Sequence, residues 1–195
     1  QSIFGPKPTT PIPEPDLETA ETFNNAIHDY DTLTEDQKEQ LTAYFRKSES
    51  ILDALELLTS KTCLLNPSNR GKPYFAWDQP RFAGASQLFR RHILIRGMIA
   101  ADRGDRQEAI RCCSLGLRLS TFFQDQTSEF LTAMLGMVFK SISVYLCDYV
   151  FHDPNVTVAE IRQILPLLQP GATLESYIQG LEFERLIQLQ AYEYA

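Results

Sequence analysis

Three histidines, His28, His92 and His152, are the first side chains to consider for metal binding or acid–base chemistry in this 195-residue chain. Asp31 follows His28 by three residues and Asp148 precedes His152 by four, so on a helix each carboxylate would lie beside its histidine. A metal site in a protein usually needs three or four ligands. Because each histidine has only one such carboxylate, the spacing predicts local hydrogen bonds and no metal site.

Sequence motifs for catalysis and nucleotide binding are missing. The chain contains no Gly-x-Ser-x-Gly nucleophile turn, no phosphate-binding P-loop and no Gly-x-Gly-x-x-Gly sequence. Its 18 basic and 25 acidic residues give a formal charge of −7, whereas nucleic acids and anionic lipids bind clustered basic residues. We therefore predict no catalytic residue, no cofactor and no nucleic-acid partner.

Arginines are nevertheless concentrated between residues 81 and 118. On helices they would spread over several faces, with few aromatic residues between them, which favours a solvated helix surface over a phosphate-binding one. The residues concerned are Arg81, Arg90, Arg91, Arg96, Arg103, Arg106, Arg111 and Arg118.

The helical periodicity places two charged residues, Arg96 and Glu184, beside apolar faces. Arg96 lies three residues after Ile93, and Glu184 lies three residues after Leu181. Burial of either charge alone would cost several kcal/mol, so each needs a partner. We predict that Arg96 and Glu184 form an ion pair that joins the last helix to an earlier hairpin. The alternative is that both line, together with His92, a ligand-binding or catalytic cleft.

Three aromatic residues, Tyr74, Phe75 and Trp77, lie close together in a loop between residues 64 and 82 that is interrupted by Pro and Gly. A solvated linker rarely carries so many large aromatic side chains, so we expect all three to dock on the helices. Direct contact with a ligand is the alternative.

The elements that position these residues are helices throughout, and the pattern predicts an all-α fold of six or seven helices. Asp16 is a predicted N-cap of a helix that runs through Tyr30. The sequence from Thr34 to Gln37 fits a capping box, and the apolar stripe that follows predicts one long helix to about Lys61.

The next two helices are predicted to form an antiparallel hairpin over residues 83–123. The first ends at Asp102, the sequence Gly104-Asp105 turns the chain, and the second continues to about Phe123. Small residues recur at Gly97, Gly104, Ala109 and Gly116, a spacing similar to that of a tetratricopeptide-type hairpin, in which two helices approach closely. Because no second copy follows in register, the sequence does not predict a repeat array.

The segment from Gln126 to Phe151 is predicted to be a helix that is apolar nearly all round and therefore central. Charged and polar residues interrupt it, and a bilayer requires about 20 apolar residues, so we predict no membrane span. Thr157 and Glu160 begin the next helix, with an apolar stripe of Val158, Ile161 and Leu165. Thr173 begins a last helix that continues to Ala195, which suggests a truncated domain.

Two further features complete the predicted organisation. Five prolines in residues 1–15 predict an extended tether, so that residues 16–195 form a single helical domain. The cysteines lie in apolar helical patterns, where free cysteine serves as a small hydrophobic residue; they are Cys63, Cys112, Cys113 and Cys147.

From Lys72 to Glu193 the order of features resembles a group of uncharacterised bacterial helical proteins that are exported or anchored in a membrane. The resemblance rests on the aromatic loop, on Leu94-Ile95-Arg96-Gly97, on the Gly104-Asp105 turn with Glu108-Ala109, on Leu117-Arg118-Leu119 and on Glu184-Arg185. It implies a place in the cell envelope and no particular activity.

These observations predict a non-catalytic helical interaction or scaffold domain that binds a protein partner or a neighbouring domain. A bundle that binds a small molecule or a lipid is the first alternative, and it would show a closed apolar cavity of roughly 300 Å³ or more near Trp77 or near the Phe130–Phe151 helix. An enzyme with a cleft around Arg96 and Glu184 is the second.

Overall fold

The computed structural model describes residues 14–60, 82–125 and 130–168. Every regular element in these ranges is helical, which confirms the predicted all-α fold. Short 3₁₀ turns follow the first and the last helix, at Tyr30–Thr32 and Leu165–Leu168. The helices are α1 (Leu17–His28), α2 (Glu35–Lys47), α3 (Glu49–Thr59), α4 (Phe82–Phe89), α5 (Arg96–Asp102), α6 (Arg106–Asp125), α7 (Phe130–Phe151) and α8 (Val158–Ile164).

Three predicted features lie outside the described residues. They are the proline-rich tether up to residue 13, the aromatic loop with Tyr74, Phe75 and Trp77, and the last helix from Thr173.

The helix starts are set by local side-chain hydrogen bonds, as the sequence predicts. Asp16 accepts a hydrogen bond from the backbone N–H three residues on, at 2.8 Å. Thr34 with Gln37 and Thr157 with Glu160 each form a complete capping box. In these boxes two otherwise free backbone N–H groups are bonded reciprocally.

The predicted single helix from Thr34 to about Lys61 is wrong, because the chain breaks at Ser48 into α2 and α3. Ser48 leaves helical geometry, with φ −110° and ψ 22°, and its side chain is fully buried. The Ser48 hydroxyl donates to the carbonyl of Tyr44 at 2.9 Å. A serine that bonds the backbone of the preceding turn competes with the helix and bends it. The apolar stripe continues through the bend, which is why periodicity alone does not reveal it.

A π-helical segment, Arg90–Ile95, lies between α4 and α5 and joins them into one continuous helix. The predicted helix over residues 83–102 is therefore present, with a wider turn at its centre. His92, Ile93, Ile95 and Arg96 are all buried there. π-Helical turns are rare and often occur at functional sites.

The α5–α6 hairpin turns at Gly104, whose φ of +73° suits glycine. Asp105 accepts a hydrogen bond from the backbone N–H of Glu108 at 3.2 Å and so begins α6. Both features match the prediction for this turn.

Two of the predicted small residues lie where three helices meet. A Cβ added to Gly97 would be 2.7 Å from a Leu146 methyl carbon and 3.1 Å from Cys112 Cβ. A Cβ on Gly116 would be 2.5 Å from the Ser143 hydroxyl oxygen and 2.9 Å from an Ile93 methyl carbon. The predicted close approach of α5 and α6 is confirmed, and α7 shares both contact points.

Helix α7 packs against α6 with one face only. Phe139, Leu146 and Val150 on that face are buried, and the stacked rings of Phe89 and Phe139 join α4 to α7, with centroids 4.0 Å apart. The opposite face is apolar but exposed, so the inference that a helix apolar nearly all round must be central is wrong. Periodicity could not separate the two faces, because both are apolar.

By length and composition, the part of α7 from Met134 to Phe151 could cross a bilayer, with a mean hydropathy of 1.4, although 39% of it is buried within the protein. The core helix of a soluble protein has the same properties. The predicted absence of a membrane span therefore stays a prediction.

In α8 the buried residue is Ile164, whereas Val158 and Leu165 are exposed. The predicted stripe of Val158, Ile161 and Leu165 is therefore wrong in two of its three members. The helix ends at Ile164 and a 3₁₀ turn follows, which changes the direction of the side chains after this point.

Candidate functional site

Arg96 is the centre of a buried charge cluster that joins α3, α5 and α6. Its side chain is 9% exposed. Its Nε donates to the Glu108 carboxylate on α6 at 2.5 Å, and one terminal nitrogen donates to the Glu49 carboxylate on α3. Its guanidinium also lies over the ring of Phe45, 5.7 Å from the centroid. Arg96 thus lies buried and paired, as the sequence requires, with partners that the sequence analysis did not name.

Arg111 on α6 extends the cluster along α3. It donates to Glu56 and to Glu49 at 2.7 Å each, and to Asp53 at 3.1 Å. Glu49 therefore bridges two arginines. The spacing of Glu49, Asp53 and Glu56 along one side of α3 is the sequence signal that could have predicted this contact.

The arginines keep the Glu49 and Glu56 carboxylates ionised. Burial alone would raise the pKa of Glu49, but hydrogen bonds from Arg96 and Arg111 outweigh it and hold that pKa below its usual range. The hydrogen bond from Arg111 likewise lowers the pKa of Glu56. In this cluster two arginines bond to four carboxylates, those of Glu49, Asp53, Glu56 and Glu108. These contacts attach α3 to the α5–α6 hairpin.

Glu184, the predicted partner of Arg96, lies outside the described residues, so that pairing stays a prediction. His92 and Arg96 are the members of the predicted cleft that the structure describes. As whole residues they are 1% and 8% exposed. Neither lines either of the two surface hollows described below.

His92 lies in the π-helical segment against aromatic rings. The rings of Tyr44 and Phe45 are each centred 5.8 Å from its imidazole. Burial, together with the nearby charges of Arg96 and Arg91, lowers the pKa of His92 to about 4. At neutral pH the imidazole is therefore uncharged and acts as a packing group.

Among the described residues, three buried nitrogen atoms in or directly after this segment lack a hydrogen-bond partner: Arg91 Nε, His92 Nδ1 and Arg96 Nη1. The guanidinium of Arg91 lies 5.2 Å from the centroid of the Phe23 ring. Contact with aromatic faces partly offsets the cost of burying such groups.

Asp102 at the end of α5 is the centre of a second cluster. It accepts hydrogen bonds from the Tyr149 hydroxyl at 2.6 Å, the Tyr30 hydroxyl at 2.9 Å and the Lys38 ammonium at 2.6 Å. Burial alone would raise the pKa of Asp102, but these three donors outweigh it and lower that pKa. The carboxylate joins the N-terminal helices to α5 and α7.

A hollow of about 460 Å³ lies beside this cluster, at the C-terminal end of α7. Its lining includes Asp102, Tyr145, Asp148, Tyr149 and Asp153. A second hollow, of about 520 Å³, lies between α3, α6 and α8 and includes Glu56, Arg111 and Arg118. Ionisable side chains contribute to the lining of both hollows, unlike the apolar cavity that a lipid-binding bundle would need.

The outward face of α7, defined by Met134, Val138, Ser141, Val144 and Tyr145, is apolar apart from its serine. Met134, Val138, Val144 and Tyr145 are 40%, 43%, 44% and 56% exposed. Their spacing of three and four residues keeps them on one side of the helix, and Tyr145 also lines the 460 Å³ hollow.

His152 contacts a residue of its own helix turn. His152 Nδ1 lies 2.7 Å from the backbone carbonyl oxygen of Asp148 and 3.9 Å from its carboxylate. The predicted contact with Asp148 is therefore local, but it is made to the backbone and not to the carboxylate. In residues 14–60, 82–125 and 130–168, no group of three or more His, Cys, Asp or Glu residues is arranged to hold a metal ion.

The described cysteines are free and buried, as predicted: Cys112, Cys113 and Cys147. Cys63 lies outside the described residues. Burial raises the pKa of the Cys112 thiol, which keeps it protonated and unreactive.

No family model, no curated protein and no solved structure matches this chain. The resemblance to exported bacterial helical proteins therefore stays a prediction. The described residues form an all-α domain in which one helix face is apolar and exposed. Its central charged residues, Arg96, Arg111 and Asp102, bond to oppositely charged residues of the same chain.

Proposed function

We propose that this chain is a non-catalytic protein-interaction domain that binds its partner along the outward face of α7. The observation that carries the proposal is the register of Met134, Val138, Val144 and Tyr145, which are exposed on one side of a helix whose other side is core. Single exposed apolar residues are ordinary on protein surfaces, whereas a contiguous series marks a binding surface.

The distribution of charge supports a binding role over a catalytic one. Arg96, Arg111 and Asp102 bond to oppositely charged groups of the protein itself. A catalytic cleft would instead direct such groups toward a substrate.

The α5–α6 hairpin, the part of the described chain with tetratricopeptide-like spacing of small residues, supports a tetratricopeptide-like origin for this part of the domain. One hairpin does not form the groove that a series of stacked repeats provides, so α7 is the binding element in this proposal. The resemblance to exported bacterial proteins supports a location in the cell envelope.

Selection of binding peptides tests the proposal. Random peptides of about 16 residues, long enough for roughly four helical turns, are displayed on phage and selected on the full chain. The recovered peptides are then titrated against a Val138→Gln/Val144→Gln variant. We expect affinity to fall about tenfold, because two half-exposed valines lose their contact with the peptide.

The matched control is Leu57→Gln/Val158→Gln, which removes two exposed apolar side chains from α3 and α8. It should leave peptide affinity unchanged. Since glutamine forms helices at least as well as valine, circular dichroism should show intact helices in the α7 variant. Equal binding by the α7 variant and the wild-type chain would refute the proposal.

A further inference from the structure

We infer that the segment bound by α7 is an amphipathic helix that carries an arginine or lysine at one end, which enters the hollow beside Asp148. This inference rests on the proposed function and specifies the chemistry of the partner. It follows from the position of Tyr145, which belongs to the outward face of α7 and also lines the 460 Å³ hollow. The apolar face and the hollow are thus one continuous surface.

The hollow carries excess negative charge. Three carboxylates line it, those of Asp102, Asp148 and Asp153. Lys38 bonds Asp102 at 2.6 Å and compensates one of them. The side chain of Asp148 is 71% exposed, and its ion-pair contact among the described residues is the 3.9 Å approach of His152. A cation that arrives from outside would therefore meet at least one carboxylate that no arginine or lysine of the described chain bonds.

The aromatic lining favours a cation attached to a side chain. Tyr145 and Tyr149 supply two rings to the hollow, and ring faces attract cations, arginine in particular, because a planar guanidinium also stacks on them. The hydroxyl of Tyr149 is already bonded to Asp102, which fixes that ring. The volume falls in the range of pockets that enclose small molecules, about 300–1,000 Å³, and accommodates one guanidinium group.

Charge also favours a basic helix over an anionic bilayer or a second copy of the chain as the partner of the α7 face. The net charge of −7 disfavours an anionic bilayer. A second copy of the chain would present the same face, which has no basic residue among Met134, Val138, Ser141, Val144 and Tyr145. A basic amphipathic helix satisfies both the apolar face and the hollow.

The test uses the peptides recovered by selection on the full chain. We expect them to combine apolar residues at helical spacing with an excess of arginine and lysine. Asp148→Asn should weaken their binding about two- to fivefold and Asp148→Arg about tenfold, as expected for loss and reversal of a surface charge contact. Glu21→Gln, at an exposed position on α1, changes the net charge by the same single unit as Asp148→Asn and should have no effect.

The outcomes separate this inference from the proposed function. Peptides that require Val138 and Val144 but are neutral or acidic, and that bind Asp148→Asn normally, would overturn the inference and leave the function intact. Recovery of no α7-dependent peptide would overturn both.

Two further measurements test whether a membrane or a second copy of the chain binds the outward face of α7. Vesicles of phosphatidylglycerol that sediment with the wild-type chain but not with Val138→Gln/Val144→Gln would assign the face to a membrane. Light scattering that shows a dimer dissociated by the same variant would assign it to a second copy. Either result would overturn the inference.

Discussion

Burial decides what single side chains of this protein can do, and His92 is the clearest case. The unfolded chain binds a proton on this histidine near pH 6.5, whereas the folded protein resists it down to about pH 4. Between these values the unfolded state binds more protons, so the stability of the fold decreases as the pH falls. His92 is therefore a built-in source of acid sensitivity.

The prediction is that the free energy of unfolding in urea falls by about 2 kcal/mol between pH 7 and pH 5. His92→Leu should abolish most of this slope, because the variant has no buried imidazole to protonate on unfolding. His152→Gln, which removes an exposed histidine, should retain the slope. A His92→Leu protein with the wild-type slope would contradict the assignment.

At the residue scale, sequence could predict what depends on near neighbours. Asp16 and the Thr34–Gln37 and Thr157–Glu160 boxes act within three residues, and their patterns identify them. The partners of Arg96 could not be predicted in this way, because Glu49 is 47 residues distant and is brought close by packing. The burial of Arg96 predicts that a carboxylate pairs with it, but it does not predict which carboxylate does so.

At the scale of elements, the crossing of α5, α6 and α7 depends on glycine. The predicted small-residue spacing located the crossing, but it could not show that α7 enters it. Nor could it show the Ser48 break or the π-helical segment, since both leave the apolar periodicity nearly unchanged. Such irregularities are decided by tertiary contacts and by side-chain bonds to the backbone.

The corresponding prediction is that Gly116→Ala destabilises the protein by about 1–3 kcal/mol, the usual cost of overpacking a core. The added methyl group would lie 2.5 Å from the Ser143 hydroxyl oxygen. Ser143→Ala removes that oxygen, so the double variant should recover part of the loss in a double-mutant cycle of thermal unfolding.

Gly104→Ala is the comparison, because a Cβ there meets nothing within 4 Å and the cost comes from the positive φ alone. Its loss should be about 1 kcal/mol, and Ser143→Ala should not reduce it. Strict additivity of Gly116→Ala and Ser143→Ala would disprove the proposed contact.

At the scale of the whole molecule, α3 is held to the rest of the protein partly by charge. Arg111 alone contacts three carboxylates of α3, those of Glu49, Asp53 and Glu56. Without Arg111 these carboxylates would repel one another along one side of the helix. Local opening of α3 should then become easier than opening of the α6–α7 pair.

We predict that Arg111→Gln accelerates amide hydrogen exchange in Glu49–Thr59 by about tenfold, equivalent to about 1.4 kcal/mol, and leaves exchange in α7 unchanged. Arg162→Gln is the control, since it removes an exposed arginine from α8. A uniform change over all helices would show that Arg111 supports global stability and not the attachment of α3.

The Asp102 cluster has a consequence for the order of folding. Its contacts close long segments of chain: 72 residues to Tyr30, 64 to Lys38 and 47 to Tyr149. Contacts of large sequence separation form late, because their loop-closure entropy must be overcome first. The α6–α7 pair is local by comparison, so we expect it to form the nucleus, with the docking of the N-terminal helices onto Asp102 completing the native state.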